Sequence, residues 1–204
     1  KTLVVVPTSM IGAWCNEFKK WTPDININVY HGNRRKLHDD TDVYITTYRI
    51  ICHELSPDAF NTTDFSNIVW KRVVLDEGHM IRNIHGKTFK SMMNLKMEKT
   101  STKWVLTATP IVKSMMDMAA YYSFLQIYPF DTLACSYRSS WSTMWALASY
   151  SESYPQIAGL LKQLNKSVMF YQNKTTISRI SDIFKPIVFD EHIMLQPSEK
   201  HKKL

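Results

Sequence analysis

Five short apolar runs punctuate residues 1 to 110, and stretches with helical spacing lie between most of them. The runs read TLVVVP, INVYH, VYITTY, RVVLDE and KWVLTAT, and several are nearly continuous Val, Ile and Leu. A strand with one wet face alternates apolar and polar residues, whereas a strand covered on both faces need not. The runs therefore predict a parallel sheet, and the helical stretches between them predict right-handed crossovers. The expected class is α/β with helices layered on a sheet.

Between the first two runs, Ser9 is expected to cap a helix whose apolar positions Met10, Trp14, Phe18 and Trp21 follow helical spacing. Lys19 and Lys20 fall at its negative end and Pro23 stops it. Residues 114–125, SMMDMAAYYSFL, open with a Ser-x-x-Asp arrangement suited to capping a helix, and its apolar positions continue at Met118, Tyr122 and Leu125. Strand signals cease from about residue 131. SYPQIAGLLKQL reads as a further helix, PIVFDEHIML alternates from Val188 to Leu195, and Ser198 is placed to cap a last helix. The expected organisation is a sheet domain over 1–130, a mainly helical extension over 131–185, and the start of a linker over 186–204.

The formal net charge is +7, which favours a polyanionic partner. The three cysteines, Cys15, Cys52 and Cys135, are widely spaced and lack zinc-type spacing, so a reduced setting is expected rather than a disulfide framework. No apolar run is long enough for a membrane span.

Two strand ends carry the candidate chemistry. Open α/β sheets bind ligands beyond the carboxyl ends of their strands, and Asp76 and Glu77 follow directly on Val73-Val74-Leu75. One carboxylate there can hold a hydrated Mg²⁺ against phosphate oxygens while its neighbour orients or deprotonates a water. The plain alternative is a strand running into a polar loop. At the second end, Thr107 and Thr109 flank Ala108 before Pro110, and His79 is a plausible hydrogen-bond partner for them. Threonines at a strand end also occur simply because Thr favours strands. Asp76, Glu77 and His79 alone do not make a closed metal-ligand set.

Taken together and in this order, VVLDEGHMIRN and KWVLTATPI resemble the Swi/Snf-type ATPases of helicase superfamily two. LVVVPTSMIGAWCNEFKKW, VYHGNRR, VYITTYRII and MMDMAAYYSFLQIYPF are similar to further segments of that family, most of all its branch containing helicase-like transcription factor and the baculoviral global transactivators. The resemblance implies a recA-like first helicase lobe that uses ATP and Mg²⁺ and tracks along double-stranded DNA, displacing bound proteins or remodelling nucleosomes in the nucleus (the host nucleus for a viral relative). Asp76 would hold Mg²⁺ through water and Glu77 would position the attacking water. His79 would couple that site to Thr107 and Thr109. Pro7, Thr8 and Ser9, with Thr46, Thr47 and Tyr48, would line the DNA track through backbone contacts. A non-catalytic DNA-binding or protein-docking module built on the same lobe is the alternative.

The family's phosphate-cradling Gly-x-Gly-Lys-Thr loop does not occur in the sequence. Gly86-Lys87-Thr88 lacks the glycine five residues earlier and follows the Asp-Glu strand, so it is not that loop. The resemblance places the true loop just before residue 1 and the second recA-like lobe from about residue 195, so the chain alone is expected to be inactive. Ala108 stands where the family has glycine, and VMFYQNKTTI where it has a Leu-Arg-Arg-like segment.

Overall fold

A computed structural model describes residues 1–56, 63–112, 116–127 and Gly159. All but Gly159 belong to the first of two compact units, Lys1–Ala158. The expected helical extension over 131–185, the linker start over 186–204 and the cap at Ser114 lie outside the described residues.

Five strands form one parallel sheet: β1 (Thr2–Val6), β2 (Ile27–Val29), β3 (Val43–Thr47), β4 (Val69–Leu75) and β5 (Lys96–Val105), in the order β2-β3-β1-β4-β5. The helices are α1 (Ile11–Trp21), α2 (Tyr48–Glu54), α3 (Asp64–Asn67), α4 (Lys87–Met93) and α5 (Met116–Leu125). β1 is central, and its Leu3 to Val6 are buried, as a strand covered on both faces must be.

Alternation along the strands assigns the layers. Val4, Val6, Val43 and Ile45 meet Trp14, Phe18 and Ile11 of α1 on one face. Tyr44 points to the other face, where it meets Trp70 edge-on, and Trp70 in turn packs on Phe65 of α3. Lys103 also lies on this second face and donates to the Phe124 carbonyl at 3.0 Å, which places α5 there. Helices thus cover both faces, the three-layer α/β arrangement that the apolar runs imply. Among the described residues no helix is long and apolar enough to cross a membrane.

Parallel register aligns the carboxyl ends of the strands. Val6 pairs with Thr47, and Val5 with Thr46 and Leu75, which itself pairs with Val105. Pro7, Tyr48, Asp76 and Leu106 therefore leave the sheet along one edge.

The structure corrects two local expectations. Ser9 does not cap α1: Thr8–Met10 form a 3-10 turn that runs straight into the helix, with no side-chain cap. β5 begins at Lys96 and ends at Val105, so Leu106 to Thr109 are loop and not strand. Its pairing with β4 is irregular between Trp70 and Arg72, opposite Met97 and Thr102. α5 is buried from Asp117 to Phe124 and shows no wet face. Asp117 is tolerated there because its carboxylate accepts the Val112 N–H at 2.8 Å.

Candidate active site

Asp76 is the first residue past β4, and the main chain around it is pinned at each step. Its amide donates to the Val5 carbonyl at 2.9 Å, and its own carbonyl accepts the Tyr48 hydroxyl at 2.7 Å. Burial, followed by the Asp76 and Glu77 charges, pushes the Tyr48 hydroxyl well above its ordinary pKa, so it remains a donor throughout the physiological range. On the carboxylate, Oδ1 accepts the Glu77 amide at 3.0 Å and Oδ2 accepts the Trp14 indole N–H at 2.8 Å.

Glu77 sits at φ 51°, ψ 48°, in the left-handed region that a side chain with a Cβ rarely adopts. Such a conformation costs on the order of 1–3 kcal/mol and persists where the surroundings over-determine it. The surroundings here are the hydrogen bonds on Asp76 before it and a backbone bridge after it. Gly78 N donates to the Leu106 carbonyl at 2.7 Å, and Leu106 N donates to the Leu75 carbonyl at 2.8 Å. The turn lifts the Glu77 side chain to 43% exposure, within reach of solvent.

His79 lies in a short 3-10 turn, Gly78–Ile81, with Nδ1 3.2 Å from Glu77 Oε2. This is an ion-pair separation without hydrogen-bond alignment. No hydrogen bond among the described residues joins His79 to Thr107 or Thr109. The Asp-Glu turn and the Leu-Thr-Ala-Thr-Pro loop are instead tied by main chain, through Gly78 and Leu106. Within the loop, Thr107 Oγ1 accepts the Thr109 amide at 3.1 Å.

Gly78 makes the bridge possible. A Cβ at this position would lie 2.3 Å from Val105 Cγ1, closer than any real contact allows. Gly78→Ala is expected to destabilise the lobe by about 1–3 kcal/mol. Adding Val105→Ala should restore most of that loss, a coupling that thermal melts of the two single variants and the double variant would read directly.

The residues expected along a DNA track separate into two groups. Pro7, Thr8 and Ser9 leave β1 at the same edge, and Thr8 and Ser9 are exposed. Thr46, Thr47 and Tyr48 are buried, and their hydroxyls are engaged inside. Thr46 donates to the Tyr30 carbonyl, Thr47 caps α2 by accepting the Ile50 amide, and Tyr48 holds Asp76. In this conformation of the lobe the three hydroxyls are thus taken up by bonds within the protein. Gly86-Lys87-Thr88 opens the seven-residue α4, with Thr88 Oγ1 accepting from Cys52 Sγ at 3.7 Å.

Among the described residues, no group of three or more His, Cys, Asp or Glu is placed to hold a metal ion. The site has no protein cage. It offers Asp76, a carboxylate whose two oxygens each accept one N–H and each keep further lone-pair capacity. That fits a cation held through water and ligand phosphates. Sequence reading gave Trp14 only an apolar role and Tyr48 only a DNA role, so it missed both side chains that donate to Asp76.

The family model for the SNF2-related domain matches residues 1–204. Mouse helicase-like transcription factor is 30% identical over 98% of this chain and 20% of its own length. DNA repair protein RAD5 of Saccharomyces cerevisiae is 29% identical over 85% of this chain and 16% of its own. The chain thus spans about a fifth or less of these relatives. Among solved structures, the Sulfolobus solfataricus SWI2/SNF2 ATPase core in complex with dsDNA is 30% identical over 61% of this chain and 24% of its own, with a TM-score of 0.51. The SWI2/SNF2 ATPase core domain of the same organism covers 89% of this chain and 35% of its own with a TM-score of 0.64; at 24% identity it speaks for the fold.

Proposed function

Because the chain belongs to the SNF2-related, Swi/Snf-type family of superfamily-two ATPases, we propose that it is the first recA-like lobe of a DNA-dependent ATPase. In this reading the motor translocates on double-stranded DNA, in the nucleus, and displaces bound proteins or remodels nucleosomes. The observation that carries the proposal is the Asp76-Glu77 turn. Two adjacent carboxylates stand at the carboxyl edge of a buried sheet, one hydrogen-bonded on both oxygens and the other exposed by a left-handed backbone.

ATP with Mg²⁺ would supply the phosphoryl group and the charge neutralisation that its transfer requires. Asp76 would hold the cation through water, and Glu77 would orient the attacking water and take up its proton. His79 would restrain the Glu77 carboxylate from 3.2 Å. The Gly78–Leu106 bridge would carry changes at this turn into the loop bearing Thr107 and Thr109. No phosphate-cradling glycine loop lies within residues 1–204, and in this reading hydrolysis would belong to the assembled motor.

The exposed Thr8 and Ser9 at the same edge, with the net charge of +7, support backbone contact with duplex DNA. Titration of the chain with unrelated duplexes should give similar affinities that fall at least tenfold between about 50 and about 200 mM salt, as when about two phosphates are neutralised. Binding that is absent, or indifferent to salt, would remove this part of the proposal.

A further inference from the structure

We propose that Trp14 is a positioning residue for the Asp76 carboxylate. The claim rests on the reading of Asp76 as the group that holds Mg²⁺ through water. One carboxylate oxygen is fixed locally by the Glu77 amide at 3.0 Å, and the other by an indole 62 residues away in sequence, at 2.8 Å. Together the two bonds set the side-chain torsion of Asp76 and the direction of its remaining lone pairs.

Packing alone does not fix the indole. One side of it rests on the cluster of Val4, Val6, Val43 and Ile45, and Phe18 meets it at a tilt of 39° with centroids 6.0 Å apart. Its surroundings also include a cavity of about 530 Å³ lined by Thr2, Phe18, Ile25, Arg72 and Val74. A ring bordering open space can turn, and the bond to Oδ2 selects one orientation. Neighbours that orient a metal-binding group by hydrogen bonding typically change metal affinity by about 10–100-fold.

The test is an NMR titration of the 204-residue chain with Mn²⁺ alone as the probe. The Trp14 indole resonance, identified by its loss in Trp14→Phe, should shift in Asp76→Ala and stay in place in Glu17→Ala, where the carboxylate lost is the acceptor of the Trp21 indole. Broadening of the Gly78 amide by Mn²⁺ should be abolished by Asp76→Ala, and Trp14→Phe should need about tenfold more Mn²⁺ for the same effect. An indole resonance indifferent to Asp76→Ala overturns the proposal. So does a Mn²⁺ response that Asp76→Ala abolishes and Trp14→Phe leaves unchanged, and in that case the metal reading of Asp76 survives. A response indifferent to Asp76→Ala ends the metal reading and the proposal together. If Trp14→Phe does not fold, a benzothienylalanine at position 14 keeps the ring shape, removes only the N–H donor, and decides the same comparison.

Discussion

Glu77→Gln should lower the rate of ATP hydrolysis by the assembled motor about 10²–10⁴-fold, the usual worth of a positioned general base. The amide keeps the size of the side chain and can still accept a hydrogen bond, but it cannot take a proton. The main chain that presents the side chain should survive the change. The left-handed conformation of residue 77 is held by bonds to Asp76, Gly78 and Leu106, none of which involves the Glu77 carboxylate. The loss should therefore fall on kcat with KM for ATP nearly unchanged, the pattern of an interaction made in the transition state. Steady-state kinetics of the two proteins at saturating DNA reads both parameters. A raised KM at normal kcat would assign Glu77 to nucleotide binding instead.

The second large effect is expected away from the site. Glu54, at the end of α2, is buried, with a side chain only 2% exposed, and is paired to Arg35 through Nη2 at 2.5 Å and Nε at 2.9 Å. The Tyr30 hydroxyl also donates to it, at 3.3 Å. Burial works to raise the Glu54 pKa, but hydrogen bonds from Thr63 and Arg35 with the Arg35 charge outweigh it and hold the group below its ordinary value. Arg35→Met should therefore cost about 3–5 kcal/mol at neutral pH, because it takes the guanidinium away from a buried carboxylate and leaves only the exposed His53 ring, at 3.7 Å, to pair with it. For a domain of this size that is a fall of roughly 6–20 °C in Tm. The pH dependence follows from the sign of the shift. A lowered folded pKa means that the ionised group adds stability above the ordinary carboxylate range, and that this is lost as pH falls through the lowered value. The penalty of Arg35→Met should accordingly shrink in acid, and Arg35→Met with Glu54→Gln should be milder than Arg35→Met alone at neutral pH. Melting curves of the three proteins at neutral and acid pH check both statements.

What the sequence carried openly was periodicity. Three consecutive valines after Leu3 read as a strand covered on both faces, and Val73 to Leu75 before two carboxylates place those carboxylates at a strand end. The polar fixings were less legible because they join residues far apart in the chain. Nothing local marks Trp14 as the partner of Asp76, or Arg35 as the partner of Glu54, since each bond exists only once the crossovers have brought α1 to β4 and the segment after β2 to α2. Tyr48 makes a further bond of this kind: the resemblance gives it a place on the DNA track, and in the folded lobe it begins α2 and turns its hydroxyl to the Asp76 carbonyl, 28 residues on. Ser9 has the chemistry of a cap, but the chain leaves β1 through a 3-10 turn and takes up helical geometry before any cap position arises.

An Asp76-Glu77 turn that serves a DNA-driven ATP hydrolase must show itself in turnover. The most direct measurement is ATP turnover by the assembled motor carrying this lobe, with and without duplex DNA, for the Glu77 protein and its Gln variant. Turnover should rise on adding double-stranded DNA of any sequence and be lost in Glu77→Gln. Turnover indifferent to DNA, or a Glu77→Gln protein as fast as its parent, would contradict that role; no turnover at all, with duplex binding retained, would return the lobe to a non-catalytic DNA-binding module.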